Sequence, residues 1–212
     1  TTSVTRTVSV VGPQPLSNTG WTLRFVDSQE TEGANNAATN AFDGNPGTLW
    51  ATQWGSAQPP PPHEIQIDLG ATRNVAGFRY VPRQDGYTVG NIKEYLFYVS
   101  TDGVNWGNAV AAGLFGNDAS TKEVLFATKS GRYVRLKALL EVSRYPYTVV
   151  AELQVLPDEP LREHPLLQFH PLLPHQVLEG LGRDEPVQRH RHAEEHLPGH
   201  QPSAPFRTIS VT

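Results

Sequence analysis

The sequence predicts an all-β fold, a jelly-roll antiparallel β-sandwich followed by a poorly structured C-terminal tail. Three observations carry this expectation. Short runs rich in β-branched and aromatic residues recur along residues 16–157. Turn signals such as Asp43-Gly44, Leu69-Gly70, Asp85-Gly86, Asp102-Gly103 and Ser130-Gly131 separate them, and these favour reversal of the chain. Composition then breaks near Pro157: all four Trp and all seven Tyr lie before it, and seven of the eight histidines lie after it.

Taken in order, residues 1–15 read as an N-terminal extension. The first strand is W-T-L-R-F-V over residues 21–26. H-E-I-Q-I-D-L follows at 63–69, with Ile65, Ile67 and Leu69 alternating against Gln66 and Asp68, the period-two pattern of a half-buried strand. V-A-G-F-R-Y-V at 75–81, E-Y-L-F-Y-V-S at 94–100, K-E-V-L-F-A-T at 122–128 and R-Y-V-R-L-K-A at 132–138 repeat that character, and V-V-A-E-L-Q-V-L at 149–156 closes the series. No helical period interrupts them, and a body of this length suffices for one core. Trp50, Trp106, Tyr80, Tyr95, Phe97 and Tyr133 sit in strand patterns and are expected to fill it. His63 precedes a strand and looks remote from any acid–base partner.

Residues 158–212 contain no Trp, Tyr, Asn or Lys and carry eight prolines, which break every incipient period. We read them as a linker or tail. Its histidines, notably His190, His192 and His196 in R-H-R-H-A-E-E-H, match no closed metal site. R-T-I-S-V-T near the end echoes R-T-V-S-V-V at 6–11, the start of a repeated module or a coincidence.

Net charge is −4 and cysteine is absent. The first argues against a nucleic-acid partner and the second excludes disulfides and thiol chemistry. No apolar run is long enough for a membrane helix. Leu114 and Phe115 form an apolar pair without flanking basic residues, which argues against membrane insertion. With no initiator Met, the chain is expected to be a mature or excised piece. It offers no phosphate loop and no nucleophile–base pattern, so a non-catalytic role is expected.

The oxygen-rich turn N-A-F-D-G-N-P-G-T-L-W at 40–50 and the lone carboxylate Glu152 in an apolar run suit a hard cation. Such an ion takes roughly six to eight oxygens, several of them main-chain carbonyls of a sharp turn. Asp43 and Glu152 would supply charge and Thr48 a hydroxyl. A surface turn and an exposed glutamate is the simpler alternative.

The ordered motifs A-F-D-G-N-P-G-T-L-W-A-T-Q-W, P-P-H-E-I-Q-I-D-L-G, Y-V-P-R-Q-D-G, Y-V-S-T-D-G-V-N-W-G, G-R-Y-V-R-L-K-A and A-E-L-Q-V resemble the discoidin, or coagulation factor 5/8 type C, superfamily. The likeness extends to family 32 carbohydrate-binding modules and to the N-terminal domain of galactose oxidases. It covers residues 16–157 and none of 158–212. It implies a structural calcium, or sodium in the same cage, held by Asn40, Asp43, Asn45, Thr48, Ala151 and Glu152. It also implies a sugar site, with Trp54, Arg83 and Tyr147 in the positions of the aromatic, the Arg and the second aromatic. Gln53, Gln84, Asp85, Tyr87, Asn91, Arg144 and Tyr145 belong to the same group of loops and could rebuild a different site. Three polar positions of the relatives are changed: their His is Ala51, their Asn is Val89 and their Glu is Ala34.

The function so implied is a lectin-like, non-catalytic module for galactose-type glycans. It would be accessory to a secreted, extracellular carbohydrate-active protein, with a catalytic domain as its neighbour. The alternative is a structural or protein-interaction domain that kept fold and ion but lost the sugar site. The changes at Ala51, Val89 and Ala34 favour that alternative, and in it Arg83 would serve structurally by pairing with Asp85 or with carbonyls.

Overall fold

The computed structural model describes residues 9–10, 12–158 and 207–208. The chain divides into two units, one of Thr1–Val11 with Leu161–Thr212, the other Gly12–Pro160. In the first, β1 (Ser9–Val10) pairs antiparallel with β10 (Arg207–Thr208), so parts of the two similar hexapeptides meet. The rest of the tail expected at 158–212, its histidines included, lies outside the described residues.

The second unit holds β2 (Thr22–Val26), a 3-10 turn (Ala38–Phe42), β3 (Trp50–Ala51), β4 (His63–Val81), β5 (Ile92–Ser100), β6 (Ala111–Leu114), β7 (Lys122–Glu141), β8 (Val149–Val150) and β9 (Glu152–Pro157). The main sheet runs β2-β4-β7-β5-β6, with β9 also paired to β4; β3 and β8 form a separate ladder. The pairings are antiparallel, as the sequence predicts.

Four of the expected strands are in fact two. H-E-I-Q-I-D-L and V-A-G-F-R-Y-V merge into β4, and K-E-V-L-F-A-T and R-Y-V-R-L-K-A merge into β7. Leu69-Gly70 and Ser130-Gly131 are therefore corners rather than reversals. The β4–β7 ladder breaks between Asp68 and Arg73 and resumes with Arg73 opposite Gly131. Gly70, at φ 76°, takes the left-handed bend that L-residues resist. Gly131 lets the backbone of β5 approach: a Cβ there would lie 2.8 Å from the Ser100 carbonyl oxygen. Asp68 braces the corner, accepting Nε and Nη2 of Arg132 at 2.8 Å each and the Gly70 N–H at 2.8 Å.

Bending puts the two halves of β4 in opposing layers. The first half pairs with β2, the second with β9, and the core fills the space between. Phe78 of the second half stacks on Phe97 of β5 (centroids 4.2 Å, interplanar 14°) and meets Tyr95 edge-on at 5.5 Å. Ile65, Ile67, Val134, Leu136 and Leu153 are buried around them, each contributing about 1.5–3 kcal/mol by leaving water. Trp50 is 1 % exposed and donates its Nε1–H to the Ser28 carbonyl at 2.9 Å.

Trp106 and Tyr133 are exceptions to the expected core. In β7 the inward positions are Val134, Leu136 and Ala138, so Tyr133 and Arg135 face outward. Arg135 lies over Tyr98 (4.1 Å) and Trp106 (4.6 Å), and Tyr133 meets Arg24 and Arg132 at 5.4 Å each. These aromatics serve cation–π contacts instead of apolar packing. Phe115 packs on Tyr95 at 4.2 Å, so only Leu114 of the apolar pair projects outward.

Candidate functional site

Loops at one end of the sandwich carry two polar centres. The first joins the turn after the 3-10 element to the start of β9. Glu152, 3 % exposed, accepts the Gly44 N–H at 2.8 Å. Asp43 accepts the Asn45 N–H at 2.8 Å through Oδ1, and its Oδ2 lies 2.7 Å from the Thr48 hydroxyl. That hydroxyl is also 2.8 Å from the Asn45 carbonyl oxygen, so one proton is shared between two acceptors. Burial first, then the hydrogen bond to Asp43, pushes the Glu152 carboxyl up to about 7. Among the described residues neither carboxylate has an ion-pair partner. No group of three or more His, Cys, Asp or Glu there is arranged to hold a metal. A cation would therefore depend on this pair together with neutral oxygens. Asn40 donates its side-chain amide to the Asn35 and Leu49 carbonyls, and Ala151 is fully buried with its N–H on the Val81 carbonyl. The donor set is thus oxygen-rich, two carboxylates and a hydroxyl among carbonyls, and it suits a hard cation.

The second centre is a pocket of about 350 Å³, within the range of small-molecule sites. Trp54, Arg83 and Tyr147 line it together, with Asn36, Gln58 and Asp85 as further polar groups. Ala51 and Val149, each 2 % exposed, belong to the same lining. Gln53 and Asn91 do not line it. Gln53 is half-buried and joins Ser28 Oγ through its backbone N–H. Asn91 is 2 % exposed, with neither side-chain nitrogen nor oxygen hydrogen-bonded among the described residues, so it is out of direct reach of a ligand in the pocket.

Arg83 forms a bidentate pair with Asp85, Nε to Oδ1 at 2.7 Å and Nη2 to Oδ2 at 2.5 Å, and Nη1 donates to the Val89 carbonyl at 2.8 Å. Three of its five N–H donors are occupied by these bonds, leaving two for another partner. Trp54 is 39 % exposed, a flat apolar face on the pocket wall. Asn36 and Gln58 were not expected as lining residues; they come from loops whose approach depends on the whole fold.

Three buried charged groups hold these loops, and none stands out in the sequence. Glu30, 3 % exposed, accepts the N–H groups of Glu32 (3.0 Å), Gly33 (2.9 Å), Trp54 (3.2 Å) and Gly55 (3.1 Å). The bonds from Gly33, Gly55 and Trp54 lower its pKa to about 2. Glu141, 1 % exposed, accepts the N–H groups of Gly90 (2.8 Å), Ser143 (2.6 Å) and Tyr145 (2.9 Å). His63 is fully buried, with Nδ1 2.7 Å from Asp27 and Nε2 2.6 Å from the Pro146 carbonyl. The expectation that it lacks an acid–base partner is therefore wrong. Both neighbours are acceptors, which favours a proton on each ring nitrogen. Burial pulls the imidazole down, but the Asp27 and Pro146 bonds outweigh it and the pKa stands above the usual histidine value.

Fold and pocket together define a β-sandwich binding domain. The F5/8 type C domain family matches residues 25–153, and the chain belongs to that family. It is 40 % identical over 141 residues to a galactose oxidase of Gibberella zeae, covering 66 % of this chain and 20 % of that protein. A sialidase of Micromonospora viridifaciens is 36 % identical over 155 residues, 73 % of this chain and 23 % of the sialidase. The chain thus spans about a fifth of the length of these curated relatives. Among solved structures, CpGH89CBM32-5 of Clostridium perfringens, in complex with GalNAc-β-1,3-galactose, aligns at TM-score 0.62 with 28 % identity, covering 68 % of this chain and 99 % of the other. The family 32 module of C. perfringens NanJ, in complex with galactose, aligns at 0.58 with 27 % identity, covering 66 % and 96 %.

Proposed function

We propose that this domain is a non-catalytic carbohydrate-binding module that takes a neutral, galactose-type sugar in the pocket of Trp54, Arg83 and Tyr147. The convergence of those three side chains on one cavity carries the reading. A pyranose presents C–H bonds on one face and hydroxyls at its edge; Trp54 suits the face, and the spare donors of Arg83 suit the edge. Asn36, Gln58 and Asp85 offer polar groups where Ala51, Val89 and Ala34 do not. The Arg83–Asp85 pair has no net charge, which favours a neutral ligand over an acidic one. Solved modules at 28 % and 27 % identity hold GalNAc-β-1,3-galactose and galactose, and this kinship supports the choice of sugar.

Calcium, or sodium in its place, would be held by Asp43 and Glu152 with oxygens of Asn40, Asn45, Thr48 and Ala151. It would supply the positive charge that buried Glu152 and exposed Asp43 lack between them and tie β9 to the turn, a structural role. In the parent protein the module would be accessory to a carbohydrate-active catalytic domain and would work outside the cell, holding that domain near its glycan.

With few hydrogen bonds and one stacking face, galactose affinity is expected near millimolar, about −4 kcal/mol. Titration calorimetry of the calcium-loaded chain with galactose should show saturable heat that Trp54→Ala and Arg83→Ala abolish. Binding by wild type that both variants leave intact would overturn the assignment of the pocket.

A further inference from the structure

We infer that Tyr145 forms an outer subsite beside the pocket, so that the preferred ligand is a glycan of at least two sugar units. This rests on the reading of the pocket as a sugar site. Tyr145 is 49 % exposed, and its ring stacks on that of the pocket-lining Tyr147 with centroids 5.6 Å apart and planes 26° from parallel. The two tyrosines therefore form one aromatic strip that starts in the cavity wall and ends in solvent.

The strip is held in place rather than merely exposed. The Tyr145 N–H donates to buried Glu141, the Pro146 carbonyl accepts from buried His63, and between Glu141 and Tyr145 the residue Arg144 sits at φ 66°. A non-glycine residue in the left-handed region is costly, and its surroundings must hold it there. The outcome is an aromatic side chain presented to solvent on a fixed backbone, which lowers the ordering cost of binding. Tyr87, 66 % exposed, is the other exposed tyrosine near the pocket, but the Arg83 guanidinium sits 5.3 Å from its ring centroid and its backbone N–H meets only the exposed Asp85. Tyr145 is accordingly the better candidate for a second sugar ring. A pyranose stacked there would be linked to the one in the pocket, and the pair would gain over either alone because the second contact is intramolecular.

Calorimetry on the calcium-loaded full chain, using galactose and GalNAc-β-1,3-galactose as probes, tests this. The wild type is expected to bind the disaccharide about tenfold more tightly than galactose, a gain of about 1.4 kcal/mol. In Tyr145→Ala the ratio of the two dissociation constants should fall to about one, and Tyr145→Phe, which keeps the ring, should restore it. A wild-type ratio near one, or a tenfold ratio that Tyr145→Ala leaves in place, would overturn the outer subsite while leaving the pocket assignment standing. Absence of heat with both sugars would overturn the pocket assignment and this inference with it.

Discussion

Replacing Glu141 with Gln changes one oxygen for an NH2 group in a site that is 1 % exposed. One carboxylate oxygen accepts the Gly90 N–H at 2.8 Å; the other accepts those of Ser143 and Tyr145 at 2.6 and 2.9 Å. The amide can keep its carbonyl on the Ser143 and Tyr145 side, but its NH2 then faces the Gly90 N–H, donor against donor. Gly90 cannot swing away: its φ is 94°, its carbonyl accepts the Val149 N–H at 2.7 Å, and Val149 lies against its Cα. An orphaned buried donor costs about 1–3 kcal/mol, and exchanging charge-assisted bonds for neutral ones at the remaining two donors brings the total to about 3 kcal/mol. For a chain of this size that lowers the melting temperature by roughly 5–10 °C. Urea unfolding of the full chain, at fixed calcium, should show a lower midpoint with unchanged slope, whereas Glu32→Gln at an exposed position should stay within about 0.5 kcal/mol of wild type. If Glu141→Gln also stayed within that margin, the carboxylate would not be holding these loops, and the argument for a fixed Tyr145 would go with it.

Other consequences can be checked in parallel. The raised pKa of His63 means its imidazolium stabilises the fold fully below the ordinary value of 6.5, and that this contribution is lost as pH rises through the folded-state value. Wild-type stability measured with calcium should therefore decline from pH 6 toward alkaline conditions more steeply than that of His63→Gln; equal slopes would refute the assignment. Calcium at about a hundred times its dissociation constant should stabilise the chain by roughly 2.7 kcal/mol, reversed by a chelator and weakened in Asp43→Asn; identical melting with calcium and with chelator would rule out the cation site. Asp85→Asn removes the partner that neutralises Arg83, so affinity for galacturonate relative to galactose should rise about tenfold. An unchanged ratio would show that the ion pair does not set charge preference.

Much of the sandwich is readable locally because a strand declares itself through alternation, as Ile65, Ile67 and Leu69 do. The corners at Gly70 and Gly131 are not, since a glycine that bends a continuing strand leaves the same local mark as one that reverses it. Trp54, Arg83 and Tyr147 were reached through family likeness; nothing in their local patterns distinguishes them from structural loop residues. The Arg83–Asp85 pair was foreseeable because its partners are two residues apart. Glu30, Glu141 and His63 lay beyond reach for the opposite reason. Each acts on a main-chain group from a remote segment, such as Gly90 at Glu141, and in one dimension a clamping carboxylate looks like any surface glutamate. Asn91 differs again: it follows Gly90 in the chain, but its side chain is buried and does not line the pocket.

The two long strands have a kinetic consequence. Residue 63 pairs with residue 138, and residue 80 with residue 122, so neither layer of the sandwich can assemble until remote parts of the chain have met. The entropy of closing those loops must be met before any pairing rewards it, which places folding toward the slow, millisecond-to-second end of single-domain behaviour. Because β4 and β7 run through both layers, one layer cannot peel away while the other stays intact. Amides such as those of Ile65 and Phe78, on opposite sides of the corner, should therefore exchange with solvent through the same global opening event, with a common protection free energy.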